Sequence, residues 1–339
     1  MGEFELIQRY FTRPTPKAVL GVGDDCALLQ MAAGMQLAIS SDMLVAGRHF
    51  FPDVDPRTLG HKALAVNLSD LAACGARPIA FTLALALPDA SPAWLQAFSD
   101  GLLSLADAYG CELIGGDTTQ GPLNICITVF GEVPANGVQR GTQPGTQAIL
   151  RSGAQAGDDI YVSGTLGDAR LALEAMQGRI QLPAAALAVA RQRLEQPTPR
   201  VALGLALRGI ASAAADISDG LLGDLGHILE RSARGATINT EIAINLLAAY
   251  AHFTGSSGQF GNIPSPQLAL QCVLAGGDDY ELVFTAPAAQ RAAVQEASRT
   301  SATPVTRIGQ IEAAPGLRLA DGRGAAVANT YASFDHFAP

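Results

Sequence analysis

The sequence predicts an α/β (α+β) protein of two domains, and three observations carry that reading. Strand-like apolar runs and helix signals interleave along both halves of the chain. The chain has 339 residues, and at about 150 residues per domain that is roughly two domains. No apolar run approaches the ~18 residues of a membrane-spanning helix, although mean hydropathy is +0.22.

The elements follow in order. The N-terminal MGEFELIQRYF carries Glu3 and Glu5 and lacks the apolar segment of a secretory signal. Asp55-Pro56 sets an N-cap before a proline, and an apolar periodic stretch then runs to Cys74, with Gly75 closing it. Ser91-Pro92 opens a second helix, with Leu95, Phe98, Leu102 and Tyr109 near helical spacing and Gly110 as its stop. Strand-like runs are Ile79–Leu87, Asn124–Gly131, Asp159–Ser163 and Tyr280–Thr285; Val201–Leu207 suits a buried strand or helix. Trp94 reads as core. Two loops rich in Gly, Pro, Ser, Asn or Gln are Val133–Gln147 and Phe253–Pro266. The first divides the chain into domains 1–147 and 148–339; the second is a surface loop.

Formal charge is 22 − 31 = −9, and this acidic balance argues against a nucleic-acid partner. The five cysteines, Cys26, Cys74, Cys111, Cys126 and Cys272, form no C-x-x-C pattern and read as buried thiols in a reducing cytoplasm. The only lysines are Lys17 and Lys62, and neither sits in a Gly-Lys-[Ser/Thr] P-loop. Protein-kinase and H-E-x-x-H motifs are absent. Gly21-x-Gly23 is followed by Cys26 where a dinucleotide fingerprint needs glycine.

What remains is a set of aspartates beside Gly, Ser or another Asp: Asp24, Asp25, Asp42, Asp70, Asp117, Asp216, Asp219, Asp278 and Asp279. Any single one suits a turn or a cap, and Asp219 before Gly-Leu-Leu is a plausible N-cap. Asp70, with Asn67, falls on or beside the apolar face of the first long helix, so it is either buried and paired or lines a site. In each half a strand-like run leads into a small-residue turn with an aspartate. That echo fits two halves of similar topology, and it fits coincidence equally. If the acidic loops converge, like charges need compensation, and with few lysines a divalent cation supplies it. Hard oxygen ligands select Mg²⁺, which in turn binds substrate phosphates.

The ordered motifs are Glu3-Phe4, Gly23-Asp-Asp-Cys-Ala27, Ser40-Ser-Asp-Met-Leu-Val45, His49-Phe50, Lys62-Ala-Leu-Ala-Val-Asn-Leu-Ser-Asp70, Gly115-Gly-Asp-Thr-Thr-Gln-Gly-Pro122, Asp216-Ile-Ser-Asp-Gly-Leu221 and Gly276-Gly-Asp-Asp-Tyr-Glu-Leu282, closing with Phe334-Asp-His-Phe337. As a set spanning nearly the whole chain, they resemble the thiamine-monophosphate kinases. Single motifs are shared with the wider aminoimidazole ribonucleotide synthetase-like superfamily. The resemblance implies a cytoplasmic two-domain enzyme, a homodimer formed through its N-terminal sheet, that uses ATP and several Mg²⁺ ions to convert thiamine monophosphate to thiamine diphosphate. It assigns metal contacts to Asp25, Ser40, Ser41, Asp42, Asp70, Asp117, Asp216 and Asp219. Nucleotide contacts fall on Tyr109, Gly116, Asp117, Arg151 and Ser218, and substrate contacts on His49, Asp278 and Phe334. The family pattern has Thr where Ser41 stands and Glu where Asp278 stands. Arg151 read alone also suits an ordinary surface position, as His49 and Phe334 suit packing roles. No general base is expected. The rival readings are another ATP-using enzyme of the superfamily and a non-catalytic maturation factor. The absence of any cysteine after Cys272 argues against the latter.

Overall fold

The structure is a computed structural model that describes residues 2–136, 147–250 and 265–333. Phe334 and most of the two predicted loops, Val133–Gln147 and Phe253–Pro266, lie outside the described residues. The chain divides into two compact units, residues 1–71 with 76–136 and residues 72–75 with 137–339.

In the first unit a short helix, α1 (Glu3–Leu6), runs into a π-helical turn at Ile7–Phe11 and buries Leu6, Tyr10 and Phe11. A two-stranded ribbon pairs β1 (Ala18–Leu20) with β2 (Leu28–Leu29). The strands β3 (Met35–Val45), β4 (Arg77–Leu87), β5 (Glu112–Gln120) and β6 (Asn124–Pro134) form a sheet of order β3-β6-β4-β5. Only β4 and β5 pair in parallel. A parallel pair needs a crossover, and α3 (Pro92–Tyr109) supplies it. The helix signals hold: Ser91 Oγ accepts the Trp94 amide, and Gly110 takes the left-handed C-cap at φ 59°. The Asp55 carboxylate accepts the Arg57 amide at 2.8 Å, at the start of α2 (Pro56–Ala73). Residues 62–69 of α2 are all buried. That is more enclosure than one amphipathic face predicts, and it takes Lys62, Asn67 and Ser69 inside. The close crossing of α2 and α3 rests on two glycines. A Cβ on Gly60 would meet the Phe98 carbonyl at 2.1 Å, and one on Gly101 the Arg57 carbonyl at 1.9 Å. Trp94 is not core; it is half-buried and stacked on Phe98 at 4.9 Å.

One face of this sheet is buried through Leu83, Leu85, Ile125, Ile127 and Val129. The alternate positions of edge strand β3 expose Leu37, Ile39 and Met43. In register with them, Phe130 and Cys126 of β6 are half-buried.

The second unit is built from β7 (Asp159–Ser163), α4 (Asp168–Met176), α5 (Ala184–Glu195), α6 (Val201–Ala206), β8 (Ala213–Ile217), α7 (Leu221–Ser232), β9 (Gly235–Asn239), α8 (Thr240–Ala243), α9 (Pro266–Ala275), β10 (Glu281–Ala286), α10 (Arg291–Thr300), β11 (Val305–Glu312), β12 (Gly316–Ala320) and β13 (Ala326–Val327). Its sheet runs β13-β12-β9-β11-β7-β10-β8, antiparallel except for β9 with β12. A strand covered on both faces shows no solvent-facing alternation, and β7, β8 and β10 are buried at every residue. Ile160, Val162, Ile217, Leu225, Ile228, Val283 and Ile308 join one core. The ambiguous 201–207 run resolves as helix.

One expectation is corrected here, and one open alternative is decided. The two units differ in strand number and order, so the echo of aspartate motifs is not a repeated topology. And only Cys111 and Cys272 are buried, their thiols pushed up to about 12 mainly by desolvation. Cys26, on the Gly-Asp-Asp turn, and Cys74, just past α2, are exposed, and Cys126 is half-exposed.

Candidate active site

In the first unit the β3 alternation sorts the predicted ligands. Ser40 and Asp42 share one side of the strand with partners on α2. Ser40 Oγ donates to Asp70 Oδ2 at 2.5 Å, and the Asp42 amide donates to Asn67 Oδ1 at 3.0 Å. Asn67 is oriented in turn by its own Nδ2–H, which donates to the Ala63 carbonyl at 3.0 Å. Asn67 and Asp70, three apart on a helix, are neighbours on its surface. Ser41 points the other way, its hydroxyl donating to the Ile127 carbonyl at 3.1 Å beside Thr128.

Two motifs expected in turns lie inside strands. Asp42 is within the 11-residue β3, and Gly115-Gly116-Asp117 is within β5. Gly116 (φ 146°) passes so close to β4 that a Cβ would meet the Leu83 carbonyl at 1.9 Å. The pairings Asp42↔Ile127, Leu83↔Ile127 and Leu83↔Gly116 put Asp42 and Gly116 on one line across the sheet. They stand three strand spacings apart, about 14 Å. Gly116 and Asp117 instead share a cleft of about 720 Å³ with Asp24, Asp25 and the apolar Phe4, Phe11 and Leu113. Asp24 Oδ1 accepts the Asp25 amide at 2.9 Å. Tyr109, the last residue of α3, is half-buried beside Gly110, whose carbonyl accepts the Lys17 ammonium. His49 Nδ1 accepts the Val45 amide at 2.9 Å, so the neutral ring carries its proton on Nε2.

In the second unit three segments meet at one end of the sheet, because β7 and β8 both run antiparallel to β10. They follow β7, follow β8 and precede β10. Asp216 is buried near the end of β8. The helix after it is capped differently from the expectation. Its N-cap is Gly220, at φ 118° and with no side-chain bond. The amides of Ser218, Asp219 and Gly220 all donate to Asp224 Oδ2, at 3.1 Å each. Asp219 is thereby left half-buried rather than spent as a cap. The Asp224 carboxyl is pushed up to about 7, first by burial and then by the Asp219 charge, against the pull of its backbone donors. An acidic residue in the first helical turn was the available sequence signal for it.

The segment before β10 is fixed to this turn. The Asp278 amide donates to the Ser218 carbonyl and the Tyr280 amide to the Ile217 carbonyl, at 2.8 Å each. Asp279 is buried and accepts the Gly167 amide at 2.9 Å, and desolvation raises its carboxyl well above the usual range. Arg151 is exposed, and its carbonyl accepts from Ser232 at the far end of α7. The 12 residues of α7 span roughly 18 Å, so Arg151 stands well away from the Ser218 turn. Among the described residues no group of three or more His, Cys, Asp or Glu side chains is placed to hold a metal ion. Of the predicted ligands, Ser40 is bonded to Asp70, and Asp25 and Asp117 line one cleft.

Residues 23–133 match the model of the N-terminal domain of AIR synthase related proteins, and residues 155–322 match that of the C-terminal domain. The thiamine-monophosphate kinase of Salmonella typhimurium is 46% identical over 342 residues, covering 99% of this chain and 98% of the relative. The chain belongs to the thiamine-monophosphate kinase family. The Escherichia coli K12 thiamine-monophosphate kinase is 45% identical over 343 residues, covering 99% and 98%. Among solved structures, the thiamine-monophosphate kinase of Stenotrophomonas maltophilia superposes with a TM-score of 0.80 at 44% identity, covering 96% of each chain. AaThiL complexed with AMPPCP and TMP superposes at 0.72 and 27% identity, over 91% of this chain and 89% of that one. The hydrogenase maturation protein HypE, at 20% identity and a TM-score of 0.72, shares the fold.

Proposed function

We propose that the chain transfers the terminal phosphoryl group of ATP to thiamine monophosphate, giving ADP and thiamine diphosphate. The observation that carries this reading is near-full-length identity of 46% to a thiamine-monophosphate kinase, together with the ordered acidic and glycine motifs of the sequence.

The chemistry fits the residues. The acceptor is itself a phosphate, largely ionised at neutral pH because its second pKa is about 6. No side chain has to remove a proton, and none is assigned that task. The obstacle is the approach of two polyanions. The donor set of Asp25, Ser40, Ser41, Asp42, Asp70, Asp117, Asp216 and Asp219 is all oxygen, with no thiolate or imidazole, and suits Mg²⁺. When bound, Mg²⁺ offsets phosphate charge and orients the reacting oxygens. The chain's own part is to hold these groups still. Asn67 fixes the Asp42 backbone, Ser40 fixes the Asp70 carboxylate, and Asp224 fixes the Ser218–Asp219 turn. We assign nucleotide contacts to Tyr109, Gly116, Asp117, Arg151 and Ser218, and acceptor contacts to His49, Asp278 and Phe334.

The exposed Leu37, Ile39 and Met43 on the β3 face support a homodimer formed through the sheet of the first domain, residues 1–147. Residues 148–339 form the second. The proposed setting is the cytoplasm, where ATP is supplied; no helix among the described residues is long and apolar enough to cross a membrane. The test is ADP release with thiamine monophosphate and with unphosphorylated thiamine as acceptors. Release that depends on the monophosphate is expected. Comparable rates with thiamine, whose alcohol requires a base, would overturn direct phosphate-to-phosphate transfer.

A further inference from the structure

The segment before β10 holds two non-glycine residues in the left-handed region, Asp278 at φ 60° and Tyr280 at φ 51°. Each such residue strains the backbone, and it persists only where the surroundings over-determine it. Here they do. The Asp278 and Tyr280 amides are fixed to the Ser218 and Ile217 carbonyls. Between them, the Asp279 carboxyl accepts the Gly167 amide and the Asp279 carbonyl accepts Arg193 Nη2 at 3.1 Å. Arg193 also bonds Glu281 at 2.6 Å. Glu281 is fully buried, and it takes Arg200 at 2.5 Å and Ser163 Oγ at 2.5 Å as well. A buried carboxylate shared by two guanidinium groups is rigid, because each partner fixes the others.

This rigidity converges on one polar contact. Tyr280 is 9% exposed, and its hydroxyl donates to Asp278 Oδ1 at 3.2 Å. The two side chains stand two residues apart. In extended backbone that spacing puts side chains on one face, but here the bond is made across two left-handed residues.

We propose that Tyr280 is a positioning residue whose hydroxyl orients the Asp278 carboxylate toward the heterocyclic, cationic end of the acceptor. This rests on the assignment of Asp278 as an acceptor contact. Asp278 is one methylene shorter than the family's Glu, so its reach is smaller and its direction matters more. A carboxylate held in one direction can accept from an exocyclic amine or face a cationic ring, and one free to rotate pays side-chain entropy on binding.

The experiment is steady-state kinetics with thiamine monophosphate varied at saturating ATP and Mg²⁺, together with thermal unfolding, for wild type, Tyr280→Phe, Asp278→Ala and the double variant. Tyr280→Phe removes one hydroxyl and no ring volume. Its KM for thiamine monophosphate is expected to rise roughly 3- to 10-fold, the loss of one hydrogen bond. The kcat and the KM for ATP are expected to stay within about twofold. In the Asp278→Ala background, Tyr280→Phe is expected to add nothing, because the contact it serves is gone. An unchanged KM, a parallel loss for both substrates, or additive effects in the double variant would overturn the proposal. If Asp278→Ala leaves the KM unchanged in an active enzyme, the Asp278 assignment falls and the proposal with it. If the wild type releases no ADP with thiamine monophosphate, the proposed function itself fails.

Discussion

Gly115 and Gly116 are adjacent in sequence and share a strand, yet the structure gives them opposite tolerances. A Cβ on Gly115 would meet only the Thr82 methyl, at 3.9 Å. On Gly116 it would meet the Leu83 carbonyl oxygen at 1.9 Å, the carbonyl carbon at 2.6 Å and the amide nitrogen at 2.8 Å, all of them backbone. No rotamer change relieves that contact, and φ of 146° already disfavours any side chain. β4 and β5 must part by more than an ångström. That stretches about two ladder hydrogen bonds, at about 1 kcal/mol each, on top of about 1–3 kcal/mol of overpacking. Gly116→Ala is therefore expected to destabilise by about 3–5 kcal/mol, which for a unit of this size lowers Tm by roughly 10 °C. The same displacement moves Asp117 within the cleft it shares with Asp25, so ATP efficiency is expected to fall with it. The assays are calorimetric unfolding and kcat/KM for ATP, with Gly115→Ala alongside. A Gly116→Ala protein with a Tm within about 2 °C of wild type, or Gly115→Ala equally damaged, would refute the reasoning.

Asp42→Asn is expected to lower turnover about 100-fold or more, as loss of a metal-binding carboxylate should; its Tm in EDTA is expected to hold or rise because like-charge repulsion falls. Turnover at the wild-type level with ordinary Mg²⁺ would remove Asp42 from the metal site. Arg151→Lys is expected to cut kcat/KM for ATP roughly 10- to 100-fold, because lysine cannot copy the planar fork. The exposed Arg299→Lys serves as the control, and equal behaviour of the two would leave Arg151 outside the nucleotide site. Asp159, fully buried, takes both arms of Arg291, at 2.6 and 2.9 Å, and Arg307 at 3.2 Å. The Arg291 bonds, foremost, hold its carboxyl below the usual range. The stabilisation is then present above the unfolded value of about 3.9 and is lost as pH falls through the lower folded value. Asp159→Asn is expected to lower Tm at pH 7 by roughly 5 °C, from about 2 kcal/mol after allowing for the half-exposed arginines. The gap to wild type should close in acid; a constant gap from pH 7 to pH 2 would count against the ion pair as its cause.

Local signals were legible where a short stretch decides its own conformation. The Ser91-Pro92 start and Gly110 stop of α3 appear as read, because capping is settled within one turn. β7 matches its run residue for residue. The motif residues expected in turns were misplaced because a Gly-Gly-Asp or Ser-Ser-Asp stretch reads locally as a turn, and only cross-strand pairing can hold it extended. Asp219 read as a cap for the same reason. The carboxylate that caps the turn, Asp224, comes from within the helix and folds back over it.

Composition and motif order by themselves determined the class, the family resemblance and which acidic residues are candidate ligands, since those depend on which residues are present. Tertiary structure alone decided which of them act together. Ser40 meets Asp70 because α2 packs on β3, while Ser41 turns away by strand alternation. Asp278 acquires Tyr280 as a partner because a buried Glu281, shared by Arg193 and Arg200, fixes a backbone that the sequence around it does not favour. The physical reason is range. Propensity and capping act over one turn, whereas register, burial and shared ion pairs join residues tens of positions apart.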